Sequence, residues 1–385
     1  MILSGQYSPP HPLGASAVLT VDRAAIVANW RDLCARHASG AVAAVVKADA
    51  YGLGAALVAP ALHEAGCRHF FTAHLAEALA LRPLIPGAML AVLNGLGPEP
   101  APEVIAAFVN HDIIPVIGRL AEISAFAAAA TRLGRRLPLI LHVDTGMARL
   151  GLDAAELDRL QQAPEWLRPL DLRFVMTHLV AAESADDPLN ALQRQRFIAA
   201  CARLPPAPRS LANSSGVFLG PAFASDLART GAALYGINPV PHAAPGGINP
   251  MRLACRLSAR VLQVRTVPAG SPVGYNATWR AARPSRIATL GIGYADGWPF
   301  RLAGLGQAFF DETPVPLVGR VSMDLTTCDI TDHPGVGPGD WLELIGPHAP
   351  PERIAAELGT SPYEVLTGLG PRIARLPLAN ADAAQ

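Results

Sequence analysis

The 385-residue sequence has little charge: Asp, Glu, Lys and Arg make up 16% of it, and 31 basic residues offset 31 acidic ones. That balance lacks the basic excess by which proteins hold nucleic acid or an anionic membrane surface. Cysteine is sparse, with five residues at Cys34, Cys67, Cys201, Cys255 and Cys328. The number is odd and no pair has CxxC spacing, which argues against a disulfide framework or a structural zinc site. They read instead as small buried hydrophobes in a reducing compartment. No apolar run reaches the ~18 residues a membrane-spanning helix needs. Met1 to Leu13 carries polar residues and three prolines where a signal peptide needs an apolar stretch. These absences predict a cytoplasmic protein with no membrane or nucleic-acid partner. His63, His69, His74 and His111 show no HExxH-type spacing, so no catalytic metal is expected. Low-complexity segments and charge runs, which would suggest a scaffold, are missing too.

What is present is a long alternation of short apolar runs and amphipathic stretches. At roughly 150 residues per domain the length suggests two or three domains, or a barrel with an appendage. Residues 1–14 read as an arm, Ala17 to Val21 as a strand, and Arg23 to His37 as a helix capped by Asp22. The runs that follow are Val42 to Val46, His69 to Thr72, Met89 to Leu93, Ile113 to Ile117, Leu139 to Val143, Leu172 to Thr177, Ser210 to Ala212 and Asp226 to Ala228. Helical candidates lie between them: Ala55 to Ala65, Glu77 to Leu81, Arg119 to Leu133, Ala154 to Gln161 and Leu192 to Leu204. Buried parallel strands with helical crossovers have this texture. Eight strand units predict a (β/α)8 barrel over 15–245, with a doubly wound open sheet as the alternative. Pro245-Gly246-Gly247 reads as a linker. Residues 246–385 read as a separate β-rich domain, with strands at Leu257 to Val267, Arg286 to Ile292, Pro316 to Val321 and Trp341 to Ile345 and a helix at Glu352 to Leu358.

The polar residues of interest follow directly on the apolar runs. Lys47 ends the first, His142 and Asp144 the fifth, His178 the sixth, Asn213 and Ser214 the seventh, and Arg229 and Gly231 the eighth. In a barrel the strand C-termini form one rim, so these positions converge there. A lysine after a strand is usually a surface residue. One that closes a run as apolar as Ala41 to Val46 sits in a partly desolvated mouth, where its amine becomes a nucleophile suited to Schiff-base chemistry. The Tyr51 hydroxyl, with the backbone near Gly52 and Gly54, can hold an anionic group. Ser214 and Gly231 follow the seventh and eighth runs, where barrels often bind phosphate. Each is a common loop residue when taken alone. With Lys47 they suggest a cofactor that carries both an aldehyde and a phosphate, as pyridoxal 5′-phosphate does.

At these residues the chain resembles the alanine racemases. The segment Val46-Lys47-Ala48-Asp49-Ala50-Tyr51-Gly52 is similar to the family's cofactor-lysine motif. The likeness continues in Val143 to Gly151, Met176 to Leu179, Ala212 to Ser215 and Arg229 to Gly236. It extends through Val273 to Thr278, Gly293 to Gly297, Gly319 to Asp324 and Tyr363 to Val365. These nine segments run in order over nearly the whole chain.

The resemblance implies an isomerase that interconverts L- and D-alanine with pyridoxal 5′-phosphate, built as a homodimer with shared active sites and supplying D-alanine for peptidoglycan. Lys47 would hold the cofactor. Tyr51, Ser214, Gly231, Ala232 and Tyr363 would bind its phosphate, with Asn213 also in the cofactor site. Arg229 would face the pyridine nitrogen, supported by His178, and Arg149 would lie near the phenolic oxygen and the substrate carboxylate. Tyr275 and Met323 would reach in from the other subunit, and Tyr294 would stand in the access corridor. Lys47 and Tyr275 would then be two bases on opposite faces of the substrate. A phenol is a weak base near neutrality (pKa about 10) and needs a positive neighbour such as Arg149.

Two positions depart from the family. Many members carry a carbamylated lysine, which orients the arginine, where this chain has His142. Arg149 would then be placed by an anion or by the imidazole itself; the plainer alternative is a packed polar residue. In the corridor, Trp298-Pro299-Phe300-Arg301 puts Phe300 where the family's arginine is expected and displaces Arg301. Other functional classes remain: a racemase for serine or a broader set of amino acids, a decarboxylase of the same architecture, and a non-catalytic pyridoxal-phosphate-binding protein. The last is usually a barrel alone, which the residues after Pro250 argue against.

Overall fold

The structure, a computed structural model, describes residues 11–242 and 248–378. The linker expected at Pro245-Gly246-Gly247 and most of the N-terminal arm lie outside the described residues. The chain divides into two compact units, and neither is one continuous stretch. Ile26–Ala50 and Val58–Arg252 form one; residues through Ala25, Tyr51–Leu57 and residues from Leu253 onward form the other. No helix among the described residues is long and apolar enough to cross a membrane.

Strand β1 (Ala17–Val21) opens the described elements, and the barrel follows with β2 (Ala41–Val45), β3 (His69–Thr72), β4 (Met89–Val92), β5 (Ile114–Ile117), β6 (Leu137–His142), β7 (Leu170–Met176), β8 (Arg209–Ser210) and β9 (Leu227–Thr230). All barrel pairings are parallel, in the order β8-β7-β6-β5-β4-β3-β2-β9. The Arg229 N–H donates to the Ala212 carbonyl at 2.8 Å, which brings the last strand back toward β8 and nearly closes the ring. The fold is thus a (β/α)8-type barrel with a separate β-rich unit. Its strands are almost wholly buried, as their continuous Val, Ile, Leu and Ala runs require of a sheet covered on both faces.

The crossover helices begin at recognisable signals. Asp153 caps the helix Ala154–Gln162 in a reciprocal box with Glu156, and Asp187 caps Pro188–Cys201. That second helix starts a turn before the expected Leu192. The helix Pro102–Asn110 between β4 and β5 has no counterpart among the expected helices, and after β8 and β9 the described residues form only short 3-10 turns. Strand β9 runs two residues past the expected Ala228, so Arg229 lies inside it rather than after it.

In the other unit, β10 (Cys255–Val267) is the spine. Its first half pairs with β1 and with β17 (Trp341–Ile345), and its second half, past an irregularity at Val261, with β13 (Ser285–Leu290). β1 also pairs in parallel with β18 (Ala374–Pro377), so the first and last described strands lie in one sheet. β13 pairs with β16 (Thr326–Asp329), and β11 (Pro272–Val273) with β12 (Trp279–Arg280). β14 (Gln307–Phe310) pairs with β17 and with β15 (Thr313–Pro316), which sits at the sheet edge. The strand expected at Pro316 to Val321 is displaced: the chain pairs over Thr313–Pro316 and leaves the sheet before Gly319. The edge tolerates Pro314 and Pro316, which have no N–H to donate.

Of the five cysteines, Cys67, Cys255 and Cys328 are buried as expected; Cys34 and Cys201 are partly exposed.

Candidate active site

At the barrel mouth four pairs of neighbouring loops are each tied by one side chain. Glu77 accepts from Ala48 N after β2 at 2.6 Å, and from Ala73 N and His74 N after β3 at 2.8 and 2.9 Å. Glu122 accepts from Leu96 N after β4 at 2.9 Å and Gly118 N after β5 at 3.4 Å. Gln193 donates to Thr145 Oγ1 after β6 at 3.2 Å and to the His178 carbonyl after β7 at 2.9 Å. Ser214 Oγ, after β8, accepts from Gly231 N and Ala233 N, after β9, at 3.0 and 3.3 Å. Such braces fix loop groups whose own backbone is irregular. Of the four, sequence reasoning singled out only Ser214; the others act across 26 to 48 residues.

Lys47 stands just past β2 and is partly buried. It is the only lysine in the sequence. Burial and the Arg149 guanidinium lower the amine's proton affinity, and Glu77 works against them. The residues after it, Ala48, Asp49, Ala50 and Tyr51, have φ of 52°, 53°, 55° and 56°. This is one left-handed turn without glycine, a conformation that costs roughly 1–2 kcal/mol per residue. Sites that must aim a group often hold such strain.

Arg149 is carried on the turn after β6. Asp144 accepts from the amides of Gly146, Met147 and Ala148 at 2.9, 2.9 and 3.0 Å and so shapes that turn. Gly151 closes it at φ 108°, where a Cβ would lie 2.6 Å from Asp144 N. Beside Arg149 opens a cavity of 460 Å³ that also reaches Asn94, Arg119 and His142. Burial, then Arg229, drives the His142 pKa down to about 4 and that of His178 to about 3. Both imidazoles are neutral at physiological pH.

Arg229 is 3% exposed. It donates to the Ser210 carbonyl at 2.9 Å and to Thr177 O, and no carboxylate pairs with it among the described residues. Burial lowers its pKa to about 10, so it remains charged. A buried guanidinium with only dipolar partners suits a neutral ring nitrogen or an anion as its further neighbour. Asn213 is structural in its contacts, donating to the Leu179 carbonyl at 3.3 Å and accepting from Gly216 N at 2.9 Å. Gly231 and Ala232 are buried and open the short turn Ala232–Tyr235.

The second unit holds the remaining candidates. Tyr51 packs edge-on to Tyr363, ring centroids 6.4 Å apart, and burial raises its phenol to about 12. Tyr363 is on the helix Pro362–Thr367, capped by Ser361. Tyr275, Tyr294 and Met323 are exposed, at 69%, 46% and 54%. Tyr294 N donates to the Ser322 carbonyl at 3.0 Å, which joins the Tyr294 and Met323 loops. Gly293 permits this approach, since a Cβ there would lie 2.3 Å from the Ser322 carbonyl. Phe300 packs on Tyr294 at 6.2 Å, and Arg320 lies 5.8 Å over its ring.

Comparison with known proteins gives one answer. The alanine racemase N-terminal domain matches residues 21–239, and the alanine racemase C-terminal domain matches residues 254–377. An alanine racemase of Acidiphilium cryptum (strain JF-5) is 55% identical over 358 residues, covering 93% of this chain and 98% of that one. One from Brucella abortus (strain 2308) is 47% identical, covering 94% of each. Among solved structures, alanine racemase from Bartonella henselae with covalently bound pyridoxal phosphate superposes with a TM-score of 0.88 at 42% identity, over 94% of this chain and all of that one. The biosynthetic alanine racemase from Pseudomonas aeruginosa gives 0.85 at 33% identity, over 94% and 99%.

Proposed function

The chain belongs to the alanine racemase family and is an isomerase, and from that premise we propose that it interconverts L- and D-alanine with pyridoxal 5′-phosphate, using Lys47 and Tyr275 as two bases. The observation that carries the cofactor assignment is the single lysine, placed at the barrel mouth with its proton affinity lowered. Donors assigned within each unit suit the rest of the cofactor. We assign the phosphate to the Ser214 hydroxyl, the Ala232 amide and the phenols of Tyr51 and Tyr363, with Gly231, whose amide donates to Ser214 Oγ, holding that hydroxyl in place. Arg229 offers a charged, buried donor for the ring nitrogen.

The bound cofactor supplies an electron sink that acidifies the substrate's α-hydrogen. The protein supplies position and proton transfer. Arg149 holds the substrate carboxylate. Lys47 takes or returns the α-proton on one face, and Tyr275 does so on the other, so removal on one side and return on the opposite side inverts the centre. Arg229, which keeps its own proton, leaves the ring nitrogen unprotonated and weakens the sink, disfavouring transamination and decarboxylation. Neutral His178 supports Arg229 without adding charge. We assign Tyr275 and Met323 to the active site of a second copy in a homodimer, a role that fits their exposure. Tyr294, Met323 and Tyr275 leave room for a small side chain, with alanine first and serine second. We place the reaction in the cytoplasm, where it supplies D-alanine for peptidoglycan.

Borohydride reduction of the protein with pyridoxal phosphate, followed by peptide mapping, tests the assignment. The expected adduct lies on the Lys47 peptide. With no other lysine in the sequence, an adduct found only at the N-terminal amine refutes it. Chiral chromatography of alanine and serine after incubation then reads the substrate.

A further inference from the structure

Among the four braces, Glu77 is the one that grips the residue following Lys47. Its Oε1 accepts from Ala48 N at 2.6 Å, while Oε2 accepts from Ala73 N and His74 N at the start of the helix Leu75–Leu81. One carboxylate therefore anchors the first residue of the left-handed turn to a regular helix. Four non-glycine residues at positive φ persist only where their surroundings over-determine them. The direction of the Lys47 side chain depends on the same backbone. We propose that Glu77 is a positioning residue, whose carboxylate braces the left-handed turn after Lys47 and so holds the amine in a fixed place in the barrel mouth.

The proposal rests on the reading of Lys47 as the cofactor lysine. Charged and titratable groups reach that amine from three other elements. Arg149, on the turn after β6, and His178, after β7, are joined by Glu77 on the helix after β3. Arg149 disfavours the charged amine, as burial does, and Glu77 favours it. The capping box of the Leu75–Leu81 helix needs only the bond to His74 N. The bond to Ala48 serves the turn.

The test needs neither cofactor nor activity. In the full chain, freed of cofactor with hydroxylamine, competitive acetylation of the sole lysine over a pH range reads its titration midpoint and its reactivity. Hydrogen exchange of the peptide spanning Ala48 reads the brace. Glu77→Gln removes the charge, and its amide can accept at one end only. Its midpoint should move to lower pH, raising labelling below the midpoint about 3–10-fold. Glu77→Asp keeps the charge but is one methylene too short to reach both loops. Its midpoint should move less, while exchange at Ala48 quickens about tenfold; this variant also carries the exchange test if Glu77→Gln does not fold. A residue that only caps its helix would lower thermal stability in both variants and change neither readout. A wild-type midpoint in folded Glu77→Gln, or wild-type exchange at Ala48 in both variants, overturns the proposal. Loss of pyridoxal phosphate capture by the unmutated Lys47 would instead refute the cofactor reading, so the two failures are distinct.

Discussion

Several candidate site residues of the barrel and of the β-rich unit are presented in opposite ways, although Arg149 of the barrel is exposed and Tyr51 of the other unit is partly buried. In the barrel, Arg229 and Ser214 are buried, and Lys47 is partly buried behind loops tied in pairs. In the β-rich unit, Tyr275 and Met323 stand more than half exposed on loops beyond the sheet. A group whose environment comes from its own chain can be desolvated and tuned there, as the lowered affinities of Lys47, His142 and His178 illustrate. An exposed phenol and thioether gain such an environment only when something covers them. Our proposal gives that task to a second copy of the chain, related to the first by a symmetric interface.

The largest effect expected from this contrast is complementation. Lys47→Ala and Tyr275→Phe should each reduce racemisation by ~10²-fold or more. Mixed under subunit exchange, they should recover activity roughly tenfold or more above either parent, because one site in each heterodimer regains both groups. Proven heterodimers with no recovery would place both bases within one chain. A second probe concerns burial itself. Arg229→Glu sets a buried carboxylate against the carbonyls of Ser210 and Thr177, so urea unfolding should show a loss of about 3 kcal/mol or more. An unchanged urea midpoint would mean that the guanidinium is not held as described. In any folded fraction, transamination should increase.

The smallest effect is on pH. His142 and His178 titrate near 4 and 3 when folded and near 6.5 when unfolded. Between those values the unfolded chain binds more protons. Their contribution to stability is thus complete above about pH 6.5 and is lost as pH falls toward the folded values. The Tm should drop from pH 7 to pH 5, and His142→Asn should flatten that slope. Equal slopes would show that burial does not hold the imidazole neutral.

Most of the barrel strands are legible because buried parallel strands are written as apolar runs; β8 is two residues long and meets its expected run, Ser210 to Ala212, only at Ser210. Lys47, His178 and Ser214 are legible because they end those runs. Arg229 is misplaced by sequence because a buried arginine interrupts the run to which it belongs. The left-handed turn after Lys47 leaves no trace, since Ala-Asp-Ala-Tyr contains no glycine to signal positive φ. Glu77, Glu122 and Gln193 look like ordinary helix-surface residues until the crossovers set them against two loops at once. Composition hid a further signal: summing lysine with arginine conceals that the chain has a single lysine.

The central claim is that two different residues serve the two faces of the substrate, and Tyr275→Phe tests it most directly because it removes one hydroxyl and keeps the ring. In deuterated solvent the variant should still exchange the α-hydrogen of D-alanine through Lys47, while exchange from L-alanine falls by ~10²–10⁴-fold. Racemisation should fail in both directions. Equal loss of exchange from the two isomers would contradict the account and leave Tyr275 a part of the pocket wall.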